Sequence, residues 1–306
     1  MVKPRSPRIL RTIILVVMFI VGVNVIYSSF TAHHPSSALH SLHLRGFDHV
    51  LSNRQKPPTT PLSSHLIMIP GHAVVKINHL ATALSQDSAW YLLDYQINQD
   101  FPMIIASHIR QGLQLLHEYP NATLIFSGGQ TRRDVGPLSE AASYYYVAME
   151  NKWINTALNN RVFLEEFSRD SFENLLFSIC RFKEVNGNYP SKISVVGFDF
   201  KADRYVTLHR KAIRFPLRNF VYYGVSTPLK FDHAKAVSGE QQTLQMFEED
   251  IYACSTEDLK QKRKKRNPFL RTIPYDLSCP ELKDLLHWCG PELYSGDLPW
   301  TEESNE

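Results

Sequence analysis

The chain lacks the motifs that announce the commonest phosphate and acyl chemistries. No Gly-x-x-x-x-Gly-Lys-Ser/Thr occurs, so a nucleoside-triphosphate P-loop is unsupported, and no Gly-x-Gly-x-x-Gly follows a strand-like run, so a nicotinamide site is unsupported too. Gly-x-Ser-x-Gly, the nucleophile turn of α/β-hydrolases, is also missing. Excess charge is scarce: 33 Lys and Arg against 30 Asp and Glu leave +3, much of it at the N-terminus and near residue 263, so a nucleic-acid partner is not indicated. Cysteine is limited to four residues, which fits an oxidising compartment only loosely. Cys180 falls on the apolar face Phe172, Leu175, Leu176, Ile179 of a predicted helix and reads as a buried thiol. Cys254, Cys279 and Cys289 lie toward the C-terminus, where Cys279 with Cys289 is the preferred disulfide among the three complete pairings that four cysteines allow.

What is present is ordinary globular composition, 43% apolar and 21% charged over 306 residues, enough for one sizeable α/β domain with appendages. The apolar run Ile13 to Ile26 is broken only by Gly22 and Asn24, and from Ile9 to Phe30 it reaches the length that spans a bilayer. Lys3, Arg5, Arg8 and Arg11 precede it. The positive-inside rule then makes residues 1–12 a cytosolic tail and 13–30 a transmembrane signal anchor, with the body lumenal: a single-pass type II protein of the endoplasmic reticulum or Golgi membrane. The competing reading is a cleaved signal peptide, since Ser28, Ser29 and Ala32 are small, although Tyr27 and Phe30 interrupt that pattern. Residues 31–64, with Pro35, Pro57, Pro58 and Pro61 and no periodicity, read as a flexible stem whose His33 and His34 lack metal-ligand spacing. Asn121-Ala122-Thr123 is a glycosylation sequon usable only in the lumen.

Residues 65–252 are expected to form the α/β domain and 253–306 a C-terminal extension carrying a basic run. Strands are predicted at Leu66–Ile69, Thr123–Phe126, Val162–Leu164, Ile193–Val196 and Phe220–Tyr223. Between them Ile105, Ile109, Gly112, Leu113 and Leu116 repeat at helical spacing, as do Leu175, Ile179 and Phe182, and Ser139 is placed to cap a further helix. Strands alternating with helices predict a mainly parallel sheet of about five strands, covered on both faces. In such sheets ligands bind beyond the carboxyl ends of the strands.

The loop most suited to that task is Ser127-Gly128-Gly129-Gln130-Thr131-Arg132, between a strand and a helix start. Two glycines let backbone N–H groups turn outward, the helix N-terminus adds partial positive charge, and Arg132 with Arg133 adds full charges. Phosphate or carboxylate is the expected guest; a plain strand-to-helix turn is the alternative.

Over residues 65 to 230 the pattern resembles the SanA/YdcF/ElyC-like domain of unknown function, in its eukaryotic, fungal-type branch. The resemblance rests on Ser127-Gly128-Gly129 with Glu140 opening the next helix, on Glu165 or Glu166 followed by Ser171 and Glu173-Asn174, and on Arg204 after the fourth strand. It implies a Rossmann-like, doubly wound, three-layer fold, membrane attachment in several members, and a link to envelope or surface-glycan biology in bacteria, but no established reaction. Bacterial members usually carry a histidine shortly before the arginine; Phe198 to Asp203 contain none.

Beside the resemblance, each candidate has its own chemistry. His72, after Gly71 at the end of the first strand, is placed for acid–base work or phosphate contact, or else for a backbone bond. Glu140 reads as a catalytic carboxylate or a residue favoured by the helix dipole. Glu165, Glu166 and Asp170 resemble paired acid–base carboxylates or a solvated acidic loop. Asn174 reads as a ligand contact or a loop tie. On an α-helix Arg204 and His209 would point about 140° apart, leaving Arg204 to face the ligand and His209 to packing or the surface. The run Lys260 to Arg266 reads as a solvated loop, a contact for anionic lipid, or a dibasic processing site. The overall expectation is an enzyme of unknown reaction, with no cofactor assigned, acting on a phosphate-bearing or nucleotide-like small molecule. Gly71, Ser127, Gly128, Gly129, Arg132, Asn174 and Arg204 would bind it, while His72, Glu140 and Glu165 would carry protons. A non-catalytic ligand-binding or scaffold module is the alternative.

Overall fold

A computed structural model of the chain describes residues 63–228 and 230–301. The expected tail, the anchor at 13–30 and the stem as far as residue 62 lie outside the described residues. Among the described residues no helix is long and apolar enough to cross a membrane.

The five predicted strands all form, each within a few residues of its expected bounds. The strands in chain order are β1 (His65–Pro70), a short hairpin of β2 (Val74–Val75) and β3 (Trp90–Tyr91), β4 (Ala122–Ser127), β5 (Val162–Glu165), β6 (Lys192–Phe198) and β7 (Phe220–Val225). The longer helices are α1 (Phe101–Glu118), α2 (Glu140–Glu150), α3 (Ser171–Asn186), α4 (His233–Glu249) and α5 (Glu257–Lys265). The main sheet has the order β5-β4-β1-β6-β7, and every pairing in it is parallel. β1 and β4 are buried along their whole length, as central strands covered on both faces must be.

The order explains which helix covers which face. From β1 the chain steps outward to β4 and β5, and α1 and α2 pack on one face with Ile67, Ile69, Leu124 and Phe126. It then returns past β1 to β6 and β7, so right-handed crossovers place α3 and the helical segment around Tyr205 on the other face, with Leu66, Met68, Ile125 and Val195. The reversal lies between β1 and β6, where an open parallel sheet leaves a crevice at its carboxyl edge.

Local chemistry fixes the helix ends. Ser139 accepts from the Ala142 N–H at 2.9 Å, and Asp170 accepts from Glu173 at 2.9 Å. Gly187 closes α3 at φ +79°, a left-handed conformation that glycine adopts without a Cβ penalty.

The segment after Tyr252 is built into the second face of the sheet. Leu259, Tyr275, Cys279, Leu282, Leu285 and Leu298 join the core around α3. At about 1.5–3 kcal/mol for a fully buried leucine, this burial makes the segment integral to the fold. It also corrects the expected disulfide. Cys180 is not a free thiol but pairs with Cys279, Cα atoms 5.3 Å apart, and Cys254 pairs with Cys289 at 5.7 Å. The reason is that residues 275–278 pack on the buried face of α3, which carries Cys279 to Cys180 and leaves Cys289 beside Cys254. No cysteine is free.

Candidate functional site

A cavity of about 840 Å³ opens at the carboxyl edge of the sheet, at the β1/β6 reversal. Its floor is Pro70, Gly71 and His72 at the end of β1 and Phe198, Phe200 and Lys201 at the end of β6; α4 forms one wall, residues between 91 and 99 at and after the end of the hairpin another, and α5 with Arg266 a third. Six of the ten expected catalytic and ligand residues line it: Gly71, His72, Arg132, Glu140, Asn174 and Arg204. Ser127, Gly128, Gly129 and Glu165 do not.

The glycine loop is not a free anion cradle. The Gly128 N–H donates to the Glu165 carbonyl at 3.0 Å and the Gly129 N–H to the Ser168 carbonyl at 2.9 Å. The first amides of α2 are also engaged, Glu140 N–H with Gly129 O and Ala141 N–H with Gly128 O. The glycines are there for close packing. A Cβ on Gly128 would stand 2.8 Å from the Glu140 Cβ, one on Gly71 would stand 2.5 Å from it, and one on Gly129 would meet the Ser168 carbonyl at 2.5 Å. Backbone donors spent inside the fold cannot also hold a phosphate.

Behind that loop lies a buried polar knot. Glu165 accepts from the Ser127 hydroxyl at 2.6 Å, from the Phe167 and Ser168 amides at 2.7 and 3.1 Å, and from the Tyr275 hydroxyl at 3.2 Å. Burial raises its pKa, and these donors oppose the rise. Asn174 ties the knot to the cavity by donating to Ser127 and Ser168 at 2.8 and 2.9 Å. Glu166 accepts from Ser139 at 2.7 Å, and Asp170 caps α3 while pairing with Arg263. The acidic loop is thus neither a solvated face nor a pair of cavity carboxylates.

Glu140 does face the cavity. Burial raises its pKa against the pull of Arg266, and Thr131 donates to it at 2.8 Å. His72 is held neutral, first by burial and then by the charge of Lys201, and its Nε2 has no hydrogen-bond partner.

Arg204 is not solvent-facing. Its guanidinium grips both oxygens of Glu240 at 2.6 and 2.8 Å, and both side chains are over nine-tenths buried. Its third contact is a donation to Ser171 Oγ. The expected 140° divergence of Arg204 and His209 also fails, because Arg204–His209 is a π-helical stretch. Its i→i+5 bonding brings residues five apart onto one side, and both side chains converge on Ser171.

The cations that remain available were not singled out from the sequence. Lys201 and Lys262 line the cavity with no carboxylate within ion-pair distance among the described residues, and Arg266 joins them, donating to the Arg169 carbonyl at 2.9 Å. Burial, then the charge of Arg204, pushes Lys201 down to about 7; burial, then Arg266, pushes Lys262 down to about 8. Lys262 and Arg266 are four apart on one helical face, a signal present in the basic run. Lys201 had only its place after a strand. Arg132 is committed to the Tyr91 carbonyl and to Asp134. Tyr91, Tyr95, Phe200 and Phe231 add an aromatic wall, with Phe200 and Phe231 stacked at 17°.

No group of His, Cys, Asp and Glu among the described residues is arranged to hold a metal ion. No family model matches the chain, and no solved structure matches it. It is 31% identical over 268 aligned residues to a protein of Saccharomyces cerevisiae named "Uncharacterized protein YOR238W", with 71% of this chain and 88% of that protein covered. The chain belongs to the family of that yeast protein.

Proposed function

We propose that the cavity binds a phosphate-bearing or nucleotide-like small molecule, and that the chain is an enzyme acting on it. The observation that carries this is the meeting of Lys201 on the cavity floor with Lys262 and Arg266 on the α5 side, none of the three in an ion pair with a carboxylate among the described residues. Protonated amines that raise the cost of one another's charge gain most from an anion placed between them. The aromatic wall suits a base or sugar attached to that anion.

The wider setting is proposed with it: an N-terminal anchor at 13–30, a lumenal body in the endoplasmic reticulum or Golgi, and membership of the SanA/YdcF/ElyC-like group. Two disulfides that use all four cysteines support an oxidising compartment. Asn121 is exposed at the amino edge of the sheet, opposite the cavity, where a glycan would leave ligand access open.

A non-catalytic binding module is the second reading. It is favoured by the locking of Ser127 and Glu165 into the fold, away from the cavity.

Titration calorimetry of the full chain in detergent with pyrophosphate, ADP and a nucleotide sugar tests the anion site. Charge-assisted bonds contribute about 1.5–3 kcal/mol each, so Lys262→Ala with Arg266→Ala should weaken the best ligand at least tenfold. Equal affinity in that variant, or no binding of any phosphate compound, refutes the proposal.

A further inference from the structure

Ser171 carries a hydroxyl that joins two buried side chains beside the cavity. It opens α3 and lines the cavity, yet the capping bond of that helix is made by Asp170. Arg204 donates to its Oγ, but Arg204 is already fixed by both oxygens of Glu240. On the far side, His209 Nε2 lies 2.8 Å from the same Oγ. The imidazole is fully buried, with Phe172, Tyr205 and Phe247 edge-on at 5.9, 5.3 and 4.7 Å. Burial, then Arg204, keeps it neutral. Its Nδ1 has no partner, so within the fold its polar bonding goes to Ser171 alone.

The hydroxyl of a cavity-lining serine, a neutral imidazole bonded to it and a guanidinium on the same oxygen make a nucleophile, a base and a charge stabiliser. We propose that Ser171 is a nucleophile toward phosphorus in a phosphoanhydride held by the cavity, with His209 taking its proton. The substrate class rests on the phosphate reading above; the nucleophile rests on this geometry. In the step, the Ser171 Oγ–P bond forms, the bridging P–O bond breaks, and the leaving phosphate carries away the bonding pair. The hydroxyl proton passes to His209 Nε2, and the incoming anion offsets the charge that forms there. Water then cleaves the seryl phosphate, His209 returns its proton to Oγ, and the water's proton leaves with the phosphate.

An alkyl fluorophosphonate tests this without knowledge of the substrate, because Oγ attack expels fluoride and leaves a stable seryl phosphonate. With the full chain in detergent, peptide mass spectrometry should find the adduct on Ser171 and none in Ser171→Ala. General-base help contributes about 10²–10⁴-fold, so His209→Ala should be labelled at least 100-fold more slowly. Added imidazole should restore part of that rate, which a packing role would not allow. No adduct on Ser171 in the natural chain, or an undiminished rate in a folded His209→Ala, overturns the proposal. ADP binding measured on the natural chain separates the readings: binding kept with no adduct on Ser171 removes only the nucleophile, whereas absent binding removes the phosphate site.

Discussion

Replacing Arg204 by alanine strips Glu240 of its partner inside the protein. Guanidinium and carboxylate are 7% and 9% exposed and joined by two hydrogen bonds of 2.6 and 2.8 Å, so the pair is held largely out of water. Removing one member of a buried pair costs about 3–5 kcal/mol, most of it from the uncompensated charge left behind. For a domain of this size, a shift of about 2–4 °C per kcal/mol gives a melting temperature lower by roughly 6–20 °C. Thermal unfolding followed by circular dichroism on the full chain reads this directly. Arg204→Met combined with Glu240→Leu should recover most of the loss, because neither charge is then buried. If Arg204→Ala melts within about 1 °C of the natural protein, the pair does not support the fold.

Gly128→Ala should destabilise by about 1–3 kcal/mol, since its new Cβ would stand 2.8 Å from that of Glu140; a shift in urea midpoint checks it, and an unchanged midpoint means the loop yields freely. Cys180→Ser opens a bridge spanning 99 residues and should cost about 2–5 kcal/mol, also read by urea, whereas Cys289→Ser should leave the Cys180–Cys279 bond intact in peptide maps. Sulfate, whose charge is constant above neutrality, should bind more weakly as pH rises from about 6.5 to 9. Over that range Lys201 and Lys262, lowered to about 7 and about 8 from 10.5, lose their protons in the folded state. The unfolded chain keeps those protons up to about 10.5, so ligand-free stability from these two lysines should rise across the window that begins near pH 7. Sulfate affinity that is flat or rising with pH would exclude the lysines from the anion site.

The sheet was legible because its strands are short runs such as Leu66–Ile69 and Thr123–Phe126, bounded by turn residues, and their alternation with Ile105, Ile109 and Leu116 leaves few topologies. The carboxyl-edge site followed from that order. Individual roles were harder to read. Glycines at 128 and 129 carry the same letters whether a turn serves an anion or a tight contact, and only the partners of their N–H groups decide. Periodicity assumed an α-helix at Arg204, and a π-helical stretch changes which side chains meet. The disulfides and the cationic wall depend on where residues 253–301 pack, a long-range contact that no local pattern encodes.

The most direct test of the anion site is a crystal structure of the full chain grown with saturating ADP. The diphosphate should lie in the cavity within hydrogen-bond reach of Lys201 Nζ, Lys262 Nζ and the Arg266 guanidinium, with the base against the wall of Tyr91, Tyr95, Phe200 and Phe231. A diphosphate bound on the Ser127–Arg132 loop away from those three cations, or an empty cavity at saturation, would contradict the account.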